Sequence, residues 1–192
     1  MSGKRSRIAA AVALSLLTVL SLAQPASAAA QSSVRVTGTQ WHASASNCRT
    51  VYLRSNASFY WVAAEFGNDN RRLRARTNGD NGLGTWERFT LRGVGYDYTL
   101  LSSEGKYVSA DTGGDGTLYA RAPWVDSWEK FHIYSYYDVD SHNSNINITS
   151  AVNDRYVSAD IGGDGTLRAR ATAPDLWEGF RIYLVENDAW SC

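Results

Sequence analysis

Apolar and polar residues alternate over short stretches of this chain and then break off. In Leu118-Tyr119-Ala120-Arg121 the Leu and Ala share one face and the Tyr and Arg the other, which is the period-two pattern of a half-buried strand. Phe131 and Ile133 likewise point one way and His132 the other. Residues 98–102, 107–110, 118–121 and 129–134 are rich in Tyr, Val, Leu and Ile and are separated by Gly or Asp turn signals, so four short strands are predicted there. No stretch after residue 28 carries a long apolar period of 3.6 residues. The fold class expected is all β.

This four-strand pattern occurs three times. KYVSADTGGDGTLYARA followed by WEKFHIY is matched by RYVSADIGGDGTLRARA followed by WEGFRIY, and a degraded copy, FYWVAAEFGNDNRRLRAR then WERFTL, precedes both. Trp61, Leu73 and Trp86 anchor copy one, Tyr107, Leu118 and Trp128 copy two, and Tyr156, Leu167 and Trp177 copy three. The last anchors are 42 and 49 positions apart, within the range of repeat architectures. Each Gly-Gly-Asp-Gly run, at 113–116 and 162–165, leads into a strand rather than a helix, so it is expected to turn a hairpin and not to cradle phosphate. Three units are too few for a propeller, and an open stack would leave strand edges bare. Closing them about a pseudo-threefold axis, as a hairpin-capped barrel or β-trefoil, removes both difficulties.

Composition narrows the setting. Lys4, Arg5 and Arg7, the apolar residues 8–22 and the small residues Ala26-Ser27-Ala28 form the pattern of an export signal over residues 1–28. A secreted protein without a membrane span is expected, with residues 29–47 a polar leader and 48–192 the domain. Loss of three of the 19 basic residues leaves 16 against 19 acidic ones, a net charge near −3, which speaks against a nucleic-acid partner. Cys48 and Cys192 bracket the repeats and are expected to pair as a disulfide that staples the first and last strands, with two free thiols as the alternative. Asn56-Ala-Ser58 and Asn147-Ile-Thr149 fit the N-glycosylation pattern.

The ordered string G-K-Y-V-S-A-D, a glycine-rich turn, L-x-A-R and W-E-x-F resembles the repeat of fascin-like β-trefoil domains, over residues 49–185. Copy one departs from it, with Trp61 for the Tyr, Glu65 for the Asp and no Gly-Gly-Asp-Gly. The resemblance implies a trefoil. Animal fascins cross-link actin with several trefoils in tandem, whereas one exported trefoil fits actin poorly. The wider trefoil group, ricin-type lectins included, often binds carbohydrate, but the ricin-type Gln-x-Trp repeat is absent here, so its sugar contacts do not carry over.

The chemistry-bearing residues divide by whether all three copies share them. Trp86, Trp128 and Trp177 recur, which favours core plugs over a threefold set of stacking sites. Arg76, Arg121 and Arg170 are expected to face outward and pair across the hairpin with Glu87, Glu129 and Glu178 at the start of strand four. Asp111, Asp160 and Glu65 begin the hairpin loops, where a carboxylate can fix a turn or hold sugar hydroxyls. Aromatics that break the symmetry are the sharper candidates: Tyr119, where the other copies have Arg74 and Arg168, Trp124 near Asp126, and Tyr136 and Tyr137 ahead of Asp138 and Asp140. The ligand-binding set expected is therefore Tyr119, Trp124, Asp111, Asp160, Tyr136 and Tyr137. Asp138-x-Asp140-x-His142 lacks the glycine and late Glu of a calcium loop, no His–Cys spacing suits zinc, and no nucleophile elbow occurs, so neither a cofactor, a metal nor catalysis is expected. A monomeric, non-catalytic binder of extracellular glycan is the leading expectation. The alternative is a secreted protein-binding module, such as a protease inhibitor using the link at 134–145.

Overall fold

A computed structural model describes residues 39–40, 48–67, 70–137 and 144–185. The chain divides into two compact units, Met1–Val34 and Arg35–Cys192, and all described residues lie in the second. Thirteen strands are found among them: β1 (Thr39–Gln40), β2 (Cys48–Ser55), β3 (Trp61–Ala64), β4 (Leu73–Thr77), β5 (Phe89–Val94), β6 (Asp97–Ser102), β7 (Tyr107–Ala110), β8 (Leu118–Ala122), β9 (Phe131–Tyr137), β10 (Ser144–Ser150), β11 (Tyr156–Ala159), β12 (Leu167–Ala171) and β13 (Phe180–Leu184). β1 falls in the stretch expected as a polar leader and pairs with β9.

Six strands close a ring. β2 pairs with β5, β5 with β6, β6 with β9, β9 with β10, β10 with β13 and β13 with β2, all antiparallel. The hairpins β3/β4, β7/β8 and β11/β12 branch from β2, β6 and β10, one for each sequence copy. The fold is a β-trefoil. Closure leaves the barrel strands no free edge, as the threefold repeat requires.

Threefold sequence positions fill one core. Phe89, Phe131 and Phe180 are fully buried, as are Val62, Val108 and Val157, and Leu73, Leu118 and Leu167. Ala64, Ala110 and Ala159, with Ala75, Ala120 and Ala169, occupy the narrow places where hairpins meet, and a larger side chain there would overpack the axis.

The W-E-x-F unit departs from expectation in its first two residues. Trp86, Trp128 and Trp177 are 44%, 55% and 40% exposed, while Glu87, Glu129 and Glu178 are buried. Strand four begins at the Phe, and in copies two and three the preceding residues form 3-10 turns, Ser127–Glu129 and Leu176–Glu178. Large rings were expected inside because burial rewards them; a backbone demand for the carboxylate reverses the order. Cys48 opens β2 and is buried, and no described cysteine is a free thiol. Its expected partner Cys192 lies outside the described residues.

In the link at 134–145, β9 runs to Tyr137 and β10 starts at Ser144, with Ser144 opposite Tyr137 and Asn145 opposite Tyr136. Much of the expected inhibitory loop is thus paired strand, and Asp138, Asp140 and His142 lie outside the described residues. Asn147 is buried and its amide donates to the Glu178 carbonyl at 2.8 Å, so this sequon is closed in the folded chain. Asn56 is half-buried and donates to Asn145.

Candidate functional site

The hairpin tips lock the three copies together. Gly116 (φ +80°) lends its carbonyl to the Ala169 N–H at 2.8 Å, and Gly165 (φ +77°) lends its carbonyl to Ala75 N–H at the same distance. Copy one does the same through Arg71, which accepts from Ala120 N–H while held at φ +64°. A Cβ on Gly116 or Gly165 would sit 2.8 or 2.7 Å from the neighbouring copy's carbonyl oxygen. Glycine is required here twice over, for the left-handed backbone and for the close approach. The loops therefore present their remaining groups from a rigid base.

Carboxylates sort into two roles. The expected turn-fixing is done by the backbone carbonyls of Asp111 and Asp160, which accept from Gly114 and Gly116 N–H, and from Gly163 and Gly165 N–H. It is also done by the side chains of Asp115 and Asp164, which accept from the N–H and hydroxyl of Thr117 and Thr166. The Thr117 hydroxyl, with the Arg168 guanidinium second, holds the Asp115 carboxyl down at about 2. Asp164 is lowered in the same direction, first by Thr166.

That leaves the loop-starting acids facing arginine. Glu65 is buried between Arg74 (3.1 Å) and Arg76, and Asp160 takes Arg168 at 2.6 Å and Arg170 at 3.9 Å. Arg74 and Arg168 also reach the turn aspartate of the preceding copy, Asp164 and Asp115, at 3.0 Å. Copy two has Tyr119 at that place, which cannot carry a charge across. Among the described residues Asp111 has one ion-pair partner, Arg121 at 3.7 Å, and the same guanidinium lies 4.5 Å over the Tyr119 ring. The expected pairing of Arg76, Arg121 and Arg170 with Glu87, Glu129 and Glu178 thus gives way to pairing with Glu65, Asp111 and Asp160.

The buried glutamates hold the turns that project the tryptophans. Asp126 caps the first 3-10 turn by accepting from Ser127 N–H at 2.8 Å, and Glu129 accepts from Asp126 N–H at 2.8 Å; Asp175 and Glu178 repeat this reciprocal box. In copy one Glu87 accepts from Gly84 N–H and from the Thr77 hydroxyl, both at 2.9 Å. Burial pushes the Glu178 carboxyl up, against the pull of these hydrogen bonds. With Glu turned inward, the residue before it has only the outer face to occupy.

In copies one and three the ring stands beside its own hairpin loop. Trp86 O accepts from Ala64 N–H at 2.9 Å, and its ring meets Phe66 edge-on at 6.3 Å. In copy three a Cβ on Gly162 would lie 3.7 Å from the Trp177 ring edge, and one on Gly163 would lie 3.3 Å from the Asp160 carboxylate. A bare glycine pair bordered by an exposed indole and a carboxylate leaves room for a flat polar ligand.

Of the six residues expected to bind ligand, the structure joins Tyr119 and Asp111 through Arg121 and places Asp160 in the equivalent position of copy three. Trp124 is 70% exposed, four residues before Trp128. Tyr136 and Tyr137 lie on β9, outside this hairpin cluster. Trp86, Trp128 and Trp177, expected in the core, are exposed; for Trp128 and Trp177 the sequence carries a signal of this in the Asp-x-x-Glu of the capping boxes, Asp126 to Glu129 and Asp175 to Glu178.

No family model and no curated protein sequence matches the chain. Solved structures do match in fold. The designed threefold-symmetric protein ThreeFoil superposes with a TM-score of 0.56 at 10% identity, over 69% of this chain and 96% of that one. A Polyporus squamosus lectin, solved with the epitope Neu5Acα2-6Galβ1-4GlcNAc, matches with a TM-score of 0.56 at 14% identity, over 75% of this chain and 49% of that one. An endo-β-galactosidase from Clostridium perfringens that releases GlcNAcα1-4Gal matches with a TM-score of 0.57 at 11% identity, over 72% of this chain and 33% of the enzyme.

Proposed function

We propose that this chain is a secreted, non-catalytic carbohydrate-binding module, a single fascin-like trefoil that holds glycan on the hairpin loops of its three copies. The observation that carries this proposal is the outward display of Trp86, Trp128 and Trp177 on turns fastened by buried glutamates. A fold seeking only stability would bury three such rings, each of which covers roughly 150–250 Å². An indole face stacks on the apolar face of a sugar, and the neighbouring carboxylate accepts hydroxyl hydrogens. Copy two is the strongest of the three sites, because Tyr119 leaves Asp111, among the described residues, one long ion-pair contact with Arg121. The lectin and galactosidase neighbours support the assignment at the level of fold analogy.

The test is retention on a panel of insoluble neutral polysaccharides, followed by indole fluorescence with soluble fragments. Trp128→Ala should weaken retention most, and the triple Trp86→Ala, Trp128→Ala, Trp177→Ala variant should abolish it without loss of the folded signal. Undiminished retention by a folded triple variant would refute the site.

A further inference from the structure

Between copies two and three lies an open cleft of about 460 Å³. Its floor is the loop from Gly114 to Gly116, and its far wall carries Asn153, Arg155 and Arg170. The interlock of Gly116 with Ala169 fixes the two walls relative to each other. This volume suits one or two sugar units rather than a macromolecular interface.

The charges in the cleft are unevenly spent. Asp115 is committed to Thr117 and to Arg168 at 3.0 Å, and Asp160, which adjoins the wall, is committed to Arg168 at 2.6 Å. Among the described residues, Arg170 makes one ion pair, a 3.9 Å approach to an acid that another arginine already holds; its charge is also felt by the buried Glu178, and its side chain is half exposed. The Arg155 guanidinium, exposed on the same wall, has no ion pair among the described residues. The neighbouring Asp154 is held at φ +52° in the turn and Asn153 is spent on Arg155 N–H and Ala169 O. Two guanidiniums thus face one cleft whose acids are already neutralised.

Pseudosymmetry makes Arg155 a choice and not a structural need. Ser55, Ser102 and Ser150 open the equivalent turns by donating N–H to Tyr60, Lys106 and Arg155, so the fold accepts an aromatic, an amine or a guanidinium there. Arg155 and Arg170 both line this cleft, whereas the equivalent positions hold Lys106 with Arg121 in copy two and Tyr60 with Arg76 in copy one.

We propose that this cleft binds the carboxylate of an acidic saccharide, with Arg155 and Arg170 as its two anchors. Planar guanidinium forks match the two coplanar oxygens of a carboxylate. A net charge near −3 on the exported chain disfavours densely charged polyanions, which makes an isolated uronate in an otherwise neutral glycan the fitting ligand. Arg170 borders both the cleft and Asp160, so a chain held at the Trp177 site would continue toward the anchors. The proposal takes the nature of its ligand from the carbohydrate function above, but does not depend on the tryptophans.

Calorimetric titration with 4-nitrophenyl glucuronide, 4-nitrophenyl glucoside and 4-nitrophenyl glucoside 6-sulfate, on the intact domain, separates the outcomes. The glucuronide should bind about tenfold more tightly than the glucoside, as expected for a charge-assisted pair. Arg155→Gln and Arg170→Gln should each erase most of that preference, and Arg155→Lys should keep part of it. Equal affinity for glucuronide and glucoside, absence of binding by either, or a preference that survives both Gln variants would overturn the proposal, and a stronger preference for the sulfate would overturn the carboxylate assignment. Retention on neutral polysaccharide, measured on the same preparations, reports the tryptophan sites separately: its loss on Trp128→Ala alongside a failed glucuronide preference sinks only the cleft.

Discussion

Gly165→Ala isolates how much of this fold's stability resides in the interlock between copies. Gly165 sits at φ +77°, and an added Cβ would come within 2.7 Å of the Ala75 carbonyl oxygen. The left-handed backbone alone costs an alanine about 1–2 kcal/mol. Relief of the clash requires the hairpins to part, which breaks the 2.8 Å bond from Ala75 N–H to Gly165 O and strands a buried donor at about 1–3 kcal/mol. The sum is a loss of about 2–5 kcal/mol. Gly95→Ala is the internal control: its φ is +66°, but nothing lies within 4 Å of the new Cβ, so it should lose only the backbone part, about 1–2 kcal/mol. Equilibrium urea unfolding of both variants, with fluorescence and circular dichroism coincident, gives the two numbers. If Gly165→Ala falls within about 0.5 kcal/mol of Gly95→Ala, which is the usual spread of surface substitutions, the copies are not rigidly locked and the geometry assigned to the loops fails.

Acid should expose the role of the turn aspartates. The folded Asp115 pKa, about 2, is below its ordinary 3.8, so its contribution is present above about pH 4 and drains away as pH falls toward 2. Asp115→Asn should lower the melting temperature at pH 6 yet shrink the further drop between pH 4 and pH 2, and an undiminished drop would refute the linkage. Tyr119→Arg installs the residue of copies one and three, and is expected to draw Asp111 into an ion pair. Glycan retention should fall several-fold with the melting temperature unchanged, and equal retention would show that Asp111 is not the ligand's acceptor.

Fold and site were legible to different depths. Turn glycines, alternating strands and threefold Phe positions act through local backbone preference and burial, both of which a single sequence displays. Tyr119 also stood out in advance, because two sister copies supplied the comparison. The tryptophans were missed for a physical reason: identity in three copies signals a shared environment without saying whether it is core or surface. What decides it is the partner residue. A glutamate three positions after a cap aspartate has a backbone N–H to satisfy, and that bond is lost if the side chain turns to water. The cleft between copies two and three was less accessible still, since Gly114 and Arg155 meet only after the barrel closes.

One structural economy follows from the buried glutamates. The Glu178 carboxylate lies in an interior that penalises charge, as its raised pKa indicates, and an apolar residue there would remove that cost. A buried glutamate persists in all three copies even though Phe89, Phe131 and Phe180 already fill the core. What the glutamates secure is the short turn ahead of each Phe, and what that turn does is turn an indole outward, in copy three beside a glycine loop. Stability and display are therefore coupled through one residue per copy. Divergence at Tyr119, Arg155 and Tyr60 is free to proceed around that coupling, because none of these positions is needed to hold the turn.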